Sequence, residues 1–229
     1  MLIHTNQNTE IEPSEGHGIN IREAGVQSSP EVPLIELSFS VLGQAIPVDH
    51  GYELFSALAH FQPKLHDLEQ LSIQTITNTT YSNRSLLLSK RSKLRIRLPV
   101  NKVPLVYPLA GRSLVLGVNK VRLGIPQMNW LQSARTLYSR MVVIKGQEQP
   151  ELFLKAAQNQ LQSLGIKGES RISTGSNGLF NRKTVKVRGY TVVGYGLEMV
   201  NLNDEDSLKL QAYGIGGKRK MGCGIFVPK

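Results

Sequence analysis

The feature that most constrains this chain is an order of elements that occurs twice. Ile35, Leu37, Phe39 and Val41 alternate with Glu36, Ser38 and Ser40, the period of a half-buried strand. Pro47 and Asp49 mark a turn and a helix start, and Leu54, Phe55, Leu58 and Phe61 follow at helical spacing up to Pro63. Leu71 to Ile76 and Leu94 to Leu98 read as two more strands, Val103 to Leu109 as a short helix, and Leu114 to Val118 as a strand closed by Gly124 and Pro126. In the second half, Met141 to Ile144 is an apolar strand and Leu152 to Leu164 a helix ended by Gly165. Residues 168–181 read as a loop, and Val185 to Val193 as a hairpin turned near Gly189. Asp204 to Tyr213 is a helix capped by Asn203, and Ile225 to Val227 a last strand. Strand, helix, strand, strand, helix, strand is the ferredoxin-like order. The expected fold is therefore α+β, with two tandem ferredoxin-like (RRM-like) domains. Expected boundaries are a flexible tail at 1–32, domains at 33–125 and 140–229, and a linker at 126–139.

Charge narrows the partner. Residues 1–33 carry five acids and one base, so the remaining 196 residues hold 26 bases against 12 acids, a net of +14. Between Glu69 and Glu148 there are 13 Lys and Arg and no acid. Mixed signs are usual on a solvated surface, so a one-signed stretch of this length implies a polyanion such as nucleic acid. No apolar run is long enough for a membrane span, and the N-terminus lacks a signal-peptide pattern. The single cysteine, Cys223, excludes an internal disulfide. The expected location is cytoplasmic, without a membrane partner.

The densest motif runs from Gly214 to Gly224, with five glycines and the bases Lys218, Arg219 and Lys220. Gly214, Gly216 and Gly217 would let the backbone approach an anion closely. It is not a P-loop: Ala212 stands at the first glycine position and Arg219 where a hydroxyl residue is needed. It is not a dinucleotide fingerprint either, since Arg219 replaces the third glycine. Arg91, Lys93, Arg95 and Arg97 would share one face of a strand as a phosphate track, extended by Lys183, Lys186 and Arg188 in the second half. Five histidines and one cysteine without a carboxylate cluster give no metal site. No cofactor is expected.

The stretch Leu210-Gln211 through Gly214-Ile215-Gly216-Gly217-Lys218-Arg219 to Met221-Gly222-Cys223-Gly224, then Phe226 and Pro228, resembles the signature loop of repeat-associated RNA-binding proteins of CRISPR systems. With Asp49-His50-Gly51-Tyr52, Lys90 to Pro99 and Leu109-Ala110-Gly111, it is most similar to the CRISPR repeat-processing endoribonucleases (Cas six), and among them to the Cmx six subtype. The resemblance covers residues 34–229. It implies two ferredoxin-like domains and metal-independent cleavage of CRISPR repeat RNA to mature guide RNAs. With few aromatic residues for base stacking, recognition is expected to rest on backbone shape and charge, as of a hairpin. RNA supplies its own 2′-hydroxyl nucleophile, so the protein must align it, move a proton and stabilise charge. His50 is the first candidate for proton transfer, expected on an accessible turn; its region often carries the family's catalytic histidine. Tyr52 would position RNA, and His66, beside Asp67, is the runner-up. His60 reads as structural, and His4 and His17 lie in the tail. The alternative is a non-catalytic RNA-binding subunit of a CRISPR effector, and other effector subunits are possible partners.

Overall fold

A computed structural model describes residues 32–229 except Ser176. The expected tail lies outside the described residues, apart from Val32. The first unit contains β1 (Leu34–Leu42), β2 (Ala45–Pro47), α1 (Gly51–Phe61), β3 (Ser72–Ile73), β4 (Thr80–Ser82), β5 (Ser85–Leu87), β6 (Lys93–Pro99), α2 (Val103–Val106), β7 (Ser113–Leu116), β8 (Asn119–Leu123) and β9 (Gln127–Trp130). The second contains β10 (Leu137–Val142), α3 (Pro150–Ser163), β11 (Glu169–Ile172), β12 (Arg182–Val187), β13 (Tyr190–Val200), α4 (Asp204–Tyr213) and β14 (Val227–Pro228).

The two larger sheets are antiparallel and follow the ferredoxin order, while β2, β5 and β4 form a small third sheet, also antiparallel. The first runs β3-β6-β1-β8-β7, and the second β11-β13-β10-β14. Each strand–helix–strand crossover thus skips one strand: β6 or β13 fills the gap of the first crossover, and β1 or β10 that of the second. In the first sheet β8 and β9 pair with successive stretches of β1, broken at Gly124. In the second, β11 and β12 do the same along β13. The hairpin between β12 and β13 turns at Arg188 and Gly189, both at positive φ, as its expected position requires.

Alternation decides which face each strand buries. Ile35, Leu37 and Phe39 enter the first core with Leu54 and Leu58 of α1 and Leu94, Ile96 and Leu98 of β6. Leu137, Leu197 and Met199 enter the second with Phe153 and Leu161 of α3 and Phe226. Met141, Val143, Val185, Val187 and Cys223 form a small third cluster, against which Tyr52 and Met221 pack. That cluster ties α1 of the first unit to the second.

Several expectations shift. The stretch expected as a linker at 126–139 contributes β9 to the first sheet and the start of β10 to the second, leaving residues 131–136 between them. β10 begins earlier than its apolar run, because Tyr138 and Arg140 point to the polar face and mask the alternation of Leu137 and Ser139. The expected loop at 168–181 contains β11, whose Ser170 and Ile172 pair with Met199 and Leu197. The last strand is Val227–Pro228 rather than 225–227. The α4 cap is as expected, with Asn203 accepting from the Asp206 N–H at 2.8 Å. Asp49 does not cap α1; the N-cap is His50, with no side-chain cap bond.

Arg97 is 2% exposed and joins the units. Its Nη1 donates to the carbonyls of Gln211 (2.5 Å) and Phe226 (3.1 Å), and its Nη2 pairs with Glu36 at 3.2 Å. Truncating one partner of a buried charged network typically costs about 3 kcal/mol or more. Arg97→Ala is therefore expected to lower the unfolding free energy by about 3 kcal/mol in urea denaturation. Arg97→Lys should not restore it, since an ammonium cannot span three acceptors set by a planar fork.

Candidate functional site

Two motifs more than 160 residues apart in sequence meet at the amino end of α1. The glycine-rich loop after α4 lies directly on the first turn of that helix. A Cβ on Gly51 would collide with the carbonyl oxygen of Met221, and one on Gly222 would press into Thr75. Arg219 donates to the Ser72 hydroxyl and the Ala212 carbonyl, each at 2.6 Å. Lys220 Nζ donates to the His66 carbonyl at 2.5 Å. Asp49 accepts from the Lys186 N–H at 2.5 Å, drawing β12 to the same place.

The glycines serve the chain before any ligand. Gly214, Gly216, Gly222 and Gly224 have positive φ. A side chain on Gly214, Gly216 or Gly224 would strike, in turn, the carbonyls of Gly224, Val143 and Ile215. Gly217 differs: its φ is not positive, it is exposed, and a Cβ there meets nothing within 4 Å. Lys218, also exposed, follows it in the left-handed region at φ 65°. Of the three loop bases, Lys218 is exposed and Lys220 partly so. Arg219 is mostly enclosed, and burial, reinforced by Arg97, pulls its pKa down to about 10.

The expectation of an accessible His50 is corrected. His50 is 1% exposed. Its Nδ1 lies 2.9 Å from the Pro47 carbonyl, and its Nε2 accepts the Ile76 N–H at 2.9 Å. Those partners require the neutral ring with the proton on Nδ1. Burial, with a smaller contribution from Arg140, holds the pKa below its ordinary value. Tyr52 is half-buried beside the third cluster. His66 is exposed, its ring edge-to-face with Phe55 at 5.0 Å.

The expected cation track divides. Arg91 is exposed in the turn before β6, and Lys93 is half-buried. Arg95 pairs with Glu36 at 3.3 Å and donates to Thr77 at 2.7 Å. Arg97 is withdrawn from solvent altogether, so the part of this face that reaches solvent ends at Arg95, which is itself paired. Arg95 and Arg97 line a cleft of about 380 Å³ between the units, with Gln74, Asn129 and Gln132. Lys183, Lys186 and Arg188 lie on β12 and its turn, with Lys186 and Arg188 exposed. Sequence reasoning missed Arg140. It sits in the irregular stretch of β10 between Ser139 and Val142, is exposed, and adds its charge to burial in lowering the pKa of Lys183. Its one sequence signal was a base at the polar phase of a strand. Cys223 is buried, and its thiol is pushed up to about 11 by burial.

Among the described residues, no group of three or more His, Cys, Asp or Glu could hold a metal ion. No helix there is long and apolar enough to cross a membrane.

Comparison with known proteins places the site in context. The family model described as Cas6 Crispr matches residues 35–229. A CRISPR-associated endonuclease Cas6 from Myxococcus xanthus (strain DK1622) is 34% identical over 197 residues, covering 85% of this chain and 81% of that protein. Among solved structures, a CRISPR associated protein Cas6 superposes with a TM-score of 0.61 at 12% identity, covering 87% of this chain and 100% of that one. One described as an RAMP protein binding different RNA substrates gives 0.62 at 14% identity, with 85% and 98% covered. A Cas6-related protein from Pyrococcus furiosus gives 0.59 at 16%, with 85% and 97% covered. These structural likenesses support the tandem ferredoxin-like fold.

Two outcomes follow for the seam. Gly222→Ala should lower thermal stability measurably, whereas Gly217→Ala should leave the melting temperature within about 2 °C, since only the former needs positive φ and close approach. His50 binds fewer protons folded than unfolded, so stability is full above its ordinary value of 6.5 and falls as pH drops below it. Denaturant midpoints measured from pH 7.5 to 5 should show this loss, and His50→Gln should flatten it.

Proposed function

Because this chain belongs to the Cas6 CRISPR family, we propose that it binds and cleaves CRISPR repeat RNA to produce guide RNAs, using the RNA's own 2′-hydroxyl as nucleophile and no metal ion. The observation that carries this reading is the meeting of the α1 amino end with the glycine-rich loop, which gathers Lys218, Lys220 and the candidate proton-transfer groups. Cations beside a scissile phosphate stabilise the negative charge of a pentacoordinate intermediate. The exposed Lys186, Arg188 and Arg140 on the second sheet, with Arg91, Lys93 and Arg95 on the first, would hold the flanking phosphates. The named relative from Myxococcus xanthus, an endonuclease, supports the same assignment.

His50 remains the first candidate for proton transfer. A depressed pKa keeps it neutral, the form a base needs, and its Nε2 becomes available once the Ile76 N–H is released. Tyr52, one helix residue beyond Gly51, would orient RNA. His66 is the alternative donor or acceptor. A second reading, an RNA-binding effector subunit that does not cut, is favoured by one observation: backbone groups hold both ring nitrogens of His50.

The test is cleavage of the cognate repeat RNA in excess EDTA. Wild type should cut at one position and leave a 5′-hydroxyl product. His50→Gln, which keeps hydrogen-bonding capacity without a titratable ring, should bind RNA yet cut at least about 100-fold more slowly. His66→Ala should cut within about threefold of wild type. Equal cutting by His50→Gln would transfer the role to His66, and tight binding without cutting by wild type would establish the second reading.

A further inference from the structure

Gly217 and Lys218, the exposed part of the glycine-rich loop, line a pocket of about 580 Å³ on the second unit. Ile144, Val192 and Val193, each half-buried, give it an apolar wall. Its polar side chains besides Lys218 are Lys145, Glu148, Gln160 and Thr191. A concave apolar surface with a few placed polar groups is the usual form of a small-ligand site. Here the aliphatic wall can cover the flat face of a heterocycle, and the polar groups can meet its edge.

Glu148 is out of place on a phosphate-binding surface. It is the first acid after Glu69 in the chain, and it shares the pocket with Lys145 and Lys218. Among the described residues no cation forms an ion pair with it. Its backbone is nonetheless anchored, since its carbonyl accepts the hydroxyl of the buried Tyr195 at 2.6 Å. Gln160 of α3 is anchored as well: its Oε1 accepts the Gly216 N–H at 2.7 Å. That bond turns the carbonyl end of the amide to the loop and leaves its two N–H donors without an acceptor among the described residues. The pocket therefore offers a carboxylate acceptor and an amide donor beside an apolar wall.

We propose that this pocket binds one unpaired guanine of the RNA, with Glu148 accepting from its N1–H and 2-amino group and Gln160 donating to its O6. Guanine is the base whose edge sets two donors side by side next to a carbonyl, the complement of a carboxylate and an amide N–H. Adenine and cytosine would turn a ring-nitrogen lone pair to the carboxylate, and uracil has one N–H between two carbonyls. Lys145 and Lys218 meet the phosphates on either side of the bound nucleotide. The inference rests on the RNA-binding reading above and adds a base-selective contact to it.

The test is equilibrium binding of the cognate repeat RNA to the full-length protein, with each guanine replaced in turn by inosine, which lacks only the 2-amino group. One position should stand out, where inosine weakens binding to wild type about tenfold, the scale of one hydrogen bond to a charged group. Glu148→Gln should weaken binding of the unmodified RNA by a similar factor, and inosine at that position should then add nothing further. This direction is diagnostic, because removing a negative charge from a phosphate-binding surface otherwise strengthens binding. Gln160→Glu, which keeps the acceptor for Gly216 and removes the donor, should weaken binding too and carries the test should Glu148→Gln fail to fold. Binding that no inosine weakens, or that Glu148→Gln leaves unchanged or tightens, overturns the pocket alone. So does an inosine penalty that persists in Glu148→Gln, which would report pairing within the RNA. No binding of the repeat by wild type overturns the RNA reading, and the pocket with it.

Discussion

The arrangement of the two units depends on one buried cation. Arg97 emerges from the polar face of β6, crosses the gap, and donates to carbonyls on either side of the glycine-rich loop, at Gln211 and Phe226. A guanidinium withdrawn from water is costly unless its donors are met. Glu36 supplies the counter-charge and also holds Arg95 and Gln74. The loop between Gln211 and Phe226 is thereby clamped at both ends, and Arg219 inside it is fixed by Ser72 and Ala212. Burial, with Arg97 adding to it, lowers the pKa of Arg219; carbonyls and the Ser72 hydroxyl meet terminal nitrogens of the two guanidinium groups, while the Nε of each is enclosed without a partner.

This clamp explains the glycines better than ligand approach does. With the loop pulled onto α1, backbone meets backbone at Gly51 against Met221, Gly214 against Gly224 and Gly216 against Val143. A Cβ on Gly51 would push the units apart, and one on Gly214 or Gly216 would spread the loop itself or lift it from the second sheet. The loop's ligand-facing part is thus small, Gly217 and Lys218, and it is presented by a rigid surround. A site held by packed backbone keeps its geometry without spending binding energy on ordering, the requirement for aligning a 2′-hydroxyl with its phosphate.

Much of the fold was legible beforehand. The alternation in Ile35 to Val41 and in Leu94 to Leu98, the helical spacing of Leu54 to Phe61, and the cap at Asn203 each rest on local chemistry that tertiary contacts did not override. Strands escaped notice where the polar phase carried large residues, as with Tyr138 and Arg140, or where serine and glycine lowered the apolar signal, as in β11. The candidate site was legible in part. The loop and the Asp49-His50-Gly51-Tyr52 motif were found separately, by type and spacing. That His50 is enclosed with both nitrogens engaged was not readable, because its partners, Pro47 and Ile76, are backbone groups, which carry no sequence signature.

By itself the sequence determined the order of elements, the excess of positive charge and the helix cap at Asn203, since these follow from periodicity, composition and local hydrogen bonding. The tertiary structure decided which cations are free. Arg91, Arg95 and Arg97 are alike in sequence, yet Arg91 faces water, Arg95 is paired, and Arg97 is consumed in joining the units. Burial and partnership depend on segments more than a hundred residues away, and no local pattern encodes them.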